Sequence, residues 1–261
     1  MTDHAQDAAD LALAIDAARA AGAILLRHWA ARGDLTVTSK RAGDFVSQAD
    51  VAAETCLREI LLGARPGDGW LGEETGAISA PRCWIVDPLD GTTNFLRGIP
   101  HWALSIALEV NGTRRAGVIL DPVKSELFAA TRGGGATLNG APIRVAGTAT
   151  LRDALFGTGI PFGGMAHIDA HSADIARLMP HCAGVRRFGA AALDLAYVAA
   201  GRLDGFWERT LRPWDIAAGL VILAESGARI AALDPDDHPE RSGTVVTATP
   251  ALFDAFAARL R

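Results

Sequence analysis

The residues best suited to chemistry in this chain fall in one short segment, Trp84-Ile85-Val86-Asp87-Pro88-Leu89-Asp90-Gly91-Thr92-Thr93-Asn94-Phe95. Asp87 stands where an apolar run ends, as at the end of a buried strand. Pro88 fixes a turn. Asp90 and Gly91 then lead into Thr92-Thr93-Asn94, which can open a helix. Two carboxylates on such a turn can aim at one point, and the amides of Gly91, Thr92 and Thr93 can aim at the same point. Free N–H groups at a helix start bind phosphate oxygens. The segment therefore offers a metal site beside a phosphate site. A plainer reading makes Asp90 a turn residue and Thr92 a cap.

Other acidic stretches are ambiguous alone. Glu73-Glu74, after Leu71-Gly72, fits a solvated loop pair. Asp215, in Pro213-Trp214-Asp215-Ile216-Ala217-Ala218-Gly219, fits the cap of the helix that starts there. Asp50, in Asp44-Phe45-Val46-Ser47-Gln48-Ala49-Asp50, fits a cap or a solvent-facing carboxylate.

Distinct elements must position these groups. Helical periodicity predicts helices over residues 7–31 and 48–62, with the polar stretch 38–43 as a loop between them. Residues 83–87, 103–110, 115–120, 126–131 and 136–145 read as strands, with Asn111-Gly112 as a hairpin turn. The first half is thus α+β around an antiparallel sheet. Beyond residue 150 the pattern alternates: strands at 155–158, 205–208, 228–233 and 244–248, and helices at 168–178, 190–200, 214–226 and 250–260. This half reads as α/β. The boundary falls near residues 146–152, giving halves of 1–148 and 149–261, with no linker composition to mark it.

Taken together, the strings resemble four ordered signatures of the inositol monophosphatase family. Residues 87–95 resemble DPIDGTTNF, with Leu89 where Ile is usual. Residues 72–74 resemble GEE, residues 214–219 resemble WDxAAG, and residues 44–50 resemble DxVTxxD. The similarity spans residues 10–227. It implies a layered αβαβα sugar-phosphatase fold and a phosphatase that uses two or three Mg2+ ions. The implied metal ligands are the carboxylates of Glu73, Asp87, Asp90 and Asp215 and the carbonyl of Leu89. Glu73 and Thr92 would orient the attacking water, with Asp50 accepting a hydrogen bond from Thr92. Asp90, Gly91, Thr92, Gly189, Ala191, Glu208 and Asp215 would border the substrate. Lys40 stands near the position of a family lysine, one residue out of register. Physics agrees with a cation among the carboxylates. Two of them about 4 Å apart repel by roughly 4 kcal/mol at an effective dielectric of about 20.

The resemblance implies hydrolysis of a phosphorylated polyol, myo-inositol 1-phosphate first. Sister substrates are histidinol phosphate, fructose 1,6-bisphosphate or a 3′-phosphonucleotide. A regulatory binding protein that keeps the fold is the reading from another class. Arg209 and Thr210 replace the small and apolar residues usual after the family's Glu. The resemblance also implies a homodimer and lithium inhibition. No Ser, Cys or His nucleophile stands in a recognised setting, so no covalent phosphoenzyme is expected.

Composition narrows the classes. The chain has 261 residues, 49% of them hydrophobic and 21% charged, enough for a sizeable core in a soluble protein. A net charge of −5 argues against a broadly basic surface for nucleic acid. The polar start lacks a signal peptide's order, and no apolar stretch reads as a membrane span. Three widely spaced cysteines suggest neither a disulfide framework nor a zinc site, so a cytoplasmic location is expected. His167, His171 and His181 read as surface histidines. The Gly133–Gly140 run lacks the Lys of a phosphate loop and reads as a tight turn.

Overall fold

The structure is a computed structural model; it describes residues 3–35, 37–41, 44–160 and 167–260, with the backbone alone at 3, 34, 39–41, 44 and 45. The chain opens with α1 (Asp3–Ala30), the hairpin of β1 (Val37–Arg41) and β2 (Asp44–Ser47), and α2 (Gln48–Ala64). It continues through β3 (Gly69–Gly72), β4 (Gly76–Ile78), β5 (Arg82–Asp90) and α3 (Thr92–Arg97). Strands β6 (Ala103–Val110), β7 (Thr113–Asp121), β8 (Glu126–Thr131), β9 (Gly135–Leu138) and β10 (Ala141–Pro142) follow. The second half holds β11 (Leu155–Thr158), α4 (Ile168–Leu178), β12 (Gly184–Arg186), α5 (Ala191–Ala199) and β13 (Gly205–Glu208). It ends with α6 (Pro213–Ser226), β14 (Arg229–Ala231), α7 (Pro239–Ser242), β15 (Val245–Ala248) and α8 (Phe253–Ala257).

These elements stack in five layers. Helices α1 and α2 cover one face of an eight-stranded sheet ordered β10-β9-β8-β7-β6-β5-β3-β4. The stripe Ala14, Ala17, Ala18, Ala21 and Leu25 on α1 is buried there, against Leu104, Ile106 and Val118. Helices α5 and α6 cover the other face, packing with Ile85, Ala103 and Ile119. Beyond them lies a five-stranded sheet ordered β12-β11-β13-β15-β14, closed on its far side by α4 and α8. With helices on both faces, β6 is buried from Ala103 to Leu108 without alternation. The layered αβαβα arrangement is the one expected from the sequence.

Helix α6 is the central piece. Residues Ile216 to Leu223 are all buried, so the helix is apolar all round. It lies close to its neighbours because glycines face them. A Cβ on Gly219 would come within 2.9 Å of Leu195 Cβ on α5, and one on Gly117 within 2.6 Å of the Ala218 carbonyl. Pro213 at its first turn and left-handed Gly227 after its end set its limits.

Three expectations change. Residues 38–41 belong to β1 rather than to a loop, because they pair with β2; residues 42 and 43 lie outside the described residues. The strand expected over 136–145 breaks at Asn139 and Gly140, both with positive φ, into β9 and β10. The closing helix is regular only over 253–257.

Candidate active site

Sheet register brings the acidic groups together. β3 runs parallel to β5 with Gly72 opposite Val86, and the Glu73 N–H donates to the Val86 carbonyl at 3.2 Å. Glu73 therefore follows β3 alongside Asp87. Between β5 and β6 the pairing slips. Asp87 faces Ser105 and Asp90 faces Ala103, so Pro88 and Leu89 form a bulge. Proline has no N–H for a ladder, so the slip falls where it costs least, and a bulge re-aims side chains. Within it, Asp87 Oδ1 accepts from the Leu89 N–H at 2.9 Å. Ser105 carries the link onward, its hydroxyl donating to the Trp214 carbonyl at 3.3 Å, one residue before Asp215. Asp215 Oδ2 accepts from the Arg212 N–H at 2.6 Å, so it also caps α6.

Asp90 joins the two halves. Its Oδ2 accepts from the Ala192 N–H at 2.7 Å. Ala190, at the N-cap of α5, has no side chain for this task, and Asp90 supplies the cap from another sheet. Gly91 adopts φ 90°, and a Cβ there would press on Ala190 and on the carbonyls of His101 and Gly189 at 3.2–3.3 Å. Asn94 fixes the same junction by donating to the carbonyls of His101 (2.8 Å) and Phe188 (2.9 Å). Gly189, at φ 86°, and Ala191 are thereby set beside Asp90 and Gly91.

The Thr92 hydroxyl lies 3.2 Å from Asp50 Oδ1 and 3.0 Å from the Leu89 carbonyl. Asp50 is itself held by Ser47, whose N–H and hydroxyl reach Oδ2 at 2.9 and 2.6 Å in a capping box at the start of α2. One turn further, buried Glu54 accepts from the N–H groups of Glu74 and Thr75, both at 2.8 Å, and from the Thr75 hydroxyl. Glu54 thus hangs the Glu73 loop from α2. The sequence reading missed it. The signal was an acid on the apolar face of α2, in line with Ala53, Leu57 and Leu61.

Electrostatics tie the carboxylates into one group. Asp87 is held well above the usual carboxylate range by burial, then by the charges of Glu73, Asp90 and Asp215. Burial, with Glu73 adding to it, pushes Asp90 up to about 7 against the hydrogen bond from Ala192. Burial, with Asp90 and Glu73, pushes Asp215 up to about 8. Burial raises Asp50 to about 6 against its Ser47 bonds. Among the described residues no Lys or Arg forms an ion pair with Asp87, Asp90 or Asp215, and no three Asp, Glu, His or Cys side chains are grouped closely enough to hold an ion as they stand. The four acids feel one another without closing on a point.

Glu208 ends β13, its carboxyl lying across Gly159, where a Cβ would be about 2.0 Å from it. Burial raises its pKa well above normal, with Asp215 and Asp90 adding and Arg187 opposing. Arg209 turns the other way and pairs with Asp174 of α4. It is the partner of a buried carboxylate, so the departure from the family pattern does not direct its charge at Glu208. His171 corrects another expectation. It is 1% exposed, stacked on Trp207 with ring centroids 5.8 Å apart. The Lys40 side chain lies outside the described residues.

The chain has relatives in sequence and in fold. The sequence profile of the inositol monophosphatase family matches residues 7–261. An inositol-1-monophosphatase of Mesorhizobium japonicum is 48% identical over 89% of this chain and 88% of its own. A Nus factor SuhB of Pseudomonas aeruginosa is 42% identical over 94% of this chain and 93% of its own. The crystal structure of the extragenic suppressor protein suhB from Bartonella henselae superposes with a TM-score of 0.94 at 40% identity, covering 97% of this chain and 98% of that one.

Proposed function

This chain belongs to the inositol monophosphatase family, and from that premise we propose that it is a magnesium-dependent phosphatase whose preferred substrate is myo-inositol 1-phosphate. The observation that carries the reading is one group of acids, buried Asp87 with half-buried Asp90, Asp215 and Glu73, in which the charges of neighbours raise the pKa of Asp87, Asp90 and Asp215. An all-oxygen donor set of this kind fits Mg2+. Glu73, Asp87, Asp90, Asp215 and the Leu89 carbonyl would hold two or three ions. Bound magnesium would supply Lewis acidity, lowering the pKa of a water and neutralising the charge that develops on the phosphoryl and leaving oxygens.

The remaining work falls to the chain. The single proton of the Thr92 hydroxyl goes to Asp50 or to the Leu89 carbonyl, so its lone pairs face outward to accept from the attacking water. Glu73 orients the same water from the opposite loop. The first N–H groups of α3, after Gly91, have no acceptor within the helix and receive phosphate oxygens. Asp90 and Asp215 border the polyol as well as the metal. Gly189 and Ala191 leave room for its ring, and Glu208 accepts its hydroxyls.

A substrate panel with magnesium, ranked by kcat/KM, tests the reading. Inositol 1-phosphate leads, ahead of histidinol phosphate, fructose 1,6-bisphosphate and a 3′-phosphonucleotide. A clear lead by any of these overturns the inositol assignment, and no turnover of any ester overturns the phosphatase assignment. Lithium inhibition and a homodimer belong to the same proposal. Relatives named Nus factor SuhB favour one further reading, a second role in binding a macromolecular partner. A cellular role that survives loss of hydrolysis would establish it.

A further inference from the structure

Asp194 is the buried acid that the proposed chemistry leaves unused. It lies in the first turn of α5, 1% exposed, within the apolar run from Ala190 to Ala200. Neither of its carboxyl oxygens has a hydrogen-bonding partner among the described residues. An isolated charge so enclosed costs several kcal/mol, so the group sits there as the neutral acid. A neutral carboxyl carries one O–H, which needs an acceptor.

Two glycines show where that acceptor stands. Gly157 on β11 pairs with Phe206 on β13, and the strands run parallel. A Cβ on Gly157 would meet Leu203, Phe206 and then the Asp194 carboxyl carbon at 3.7 Å. Two residues on, a Cβ on Gly159 would fall about 2.0 Å from the Glu208 carboxyl. Gly159 stands just past the end of β11, and two residues of chain span at most roughly 7 Å. Asp194 and Glu208 are therefore neighbours along the Gly157–Gly159 stretch, and Glu208 is the foremost charge acting on Asp194. The charged groups around Asp194 are Glu208, Asp90 and Arg187. Arg187 offers no acceptor. Asp90 Oδ2 already receives the Ala192 N–H. Asp90 also receives the N–H groups of Ala191 and Gly91, whereas the Glu208 carboxyl takes no hydrogen bond from a described residue, so it is the acceptor left.

We propose that Asp194 is a positioning residue: its O–H, through one bridging water along the Gly157–Gly159 stretch, holds the Glu208 carboxyl in the orientation whose oxygen accepts the hydroxyls of the leaving polyol. The role rests on the assignment of Glu208 to the polyol. It predicts that Asp194 governs selectivity for polyol esters without touching phosphoryl transfer.

The experiment compares the magnesium-loaded full-length enzyme with its Asp194→Asn, Asp194→Ala and Glu208→Gln variants on inositol 1-phosphate and on p-nitrophenyl phosphate, which lacks hydroxyls. Asp194→Asn keeps a neutral donor and leaves KM for inositol 1-phosphate within about twofold. Asp194→Ala raises that KM about tenfold, with kcat little changed and p-nitrophenyl phosphate turnover unaffected. Its melting temperature falls little, because no described residue bonds the Asp194 carboxyl directly and the group lost is a costly one to bury. A merely structural acid would show the reverse, with lowered stability and unchanged selectivity. If Asp194→Ala does not yield folded protein, Asp194→Ser, too short to reach the Gly157–Gly159 stretch, takes its place. Unchanged KM in the Ala or Ser variant, or equal damage in Asn and Ala, overturns the proposal. If Glu208→Gln also leaves polyol selectivity intact, the assignment of Glu208 itself falls; if only the Asp194 variants are silent, the inference falls alone.

Discussion

At the scale of single residues, Asp90 has the most to lose, because one of its oxygens caps α5 and its charge belongs to the acidic group. Asn in its place keeps an oxygen for the Ala192 N–H and removes the charge. Asp90→Asn should fold, lose roughly a hundredfold or more in kcat, and melt no lower than the parent at pH 8 without magnesium. Turnover assays and thermal melts check both halves. A melting temperature several degrees lower would show that the charge stabilises the fold. Residues such as Asp87 and Asp90 were legible in the sequence because a strand end, a proline and a glycine sit next to them. Arg209 was not, because its side chain is explained by Asp174, 35 residues away. His171 was misread for a similar reason: its partner is Trp207, on a strand whose packing on α4 no local pattern shows.

At the scale of elements, the segment from Glu208 to Asp215 joins the residue proposed to meet the polyol to one proposed to hold metal. Thr210 lies within it at φ 62°, an uncommon conformation for a β-branched residue, and its hydroxyl bonds the Arg209 carbonyl at 2.6 Å. Asn tolerates that region with less strain. Thr210→Asn should therefore stabilise the chain by about 1 kcal/mol in denaturant unfolding. An unchanged or lowered midpoint would show that the turn carries no such strain. Long periodic elements such as α1 and α2 were legible because one face repeats. Short ones, among them β3, β4 and β12, were not, since three or four residues hold no period and owe their pairing to neighbours. The β1–β2 hairpin was hidden by polar residues that strands can carry at an edge.

At the scale of the whole molecule, the buried and half-buried acids set how stability responds to pH. Asp50, Asp90 and Asp215 have folded pKa values of about 6, 7 and 8, all above 3.8. The folded chain thus holds more protons than the unfolded chain between about pH 4 and 8, and the unfolding free energy falls as pH rises through that window. His101 acts on the acid side, because burial, with Lys124 adding, depresses it to about 4. Unfolding lets it take up a proton below about pH 6.5, so its contribution is lost as pH falls from there. Without magnesium the melting temperature should decline from pH 6.5 to 8.5. On the proposed assignment magnesium would bind the ionised acids, so with it the decline should vanish, and the shift caused by the ion should grow with pH. Melts on a grid of pH and magnesium test this, and an ion effect independent of pH would contradict it. The layered fold was legible as a class from its motifs. The wedge of α6 between two sheets was not, because it arises from glycines that let distant backbones touch. That wedge also divides the labour of motion. Asp215 rides on a helix clasped by both sheets and yields only when the body of the protein opens. Glu73 hangs from a short loop tethered to α2. On the proposed assignment the pocket thus has one wall built into the body of the protein and one pinned mainly through a side chain, and ions and product should enter and leave past the Glu73 side.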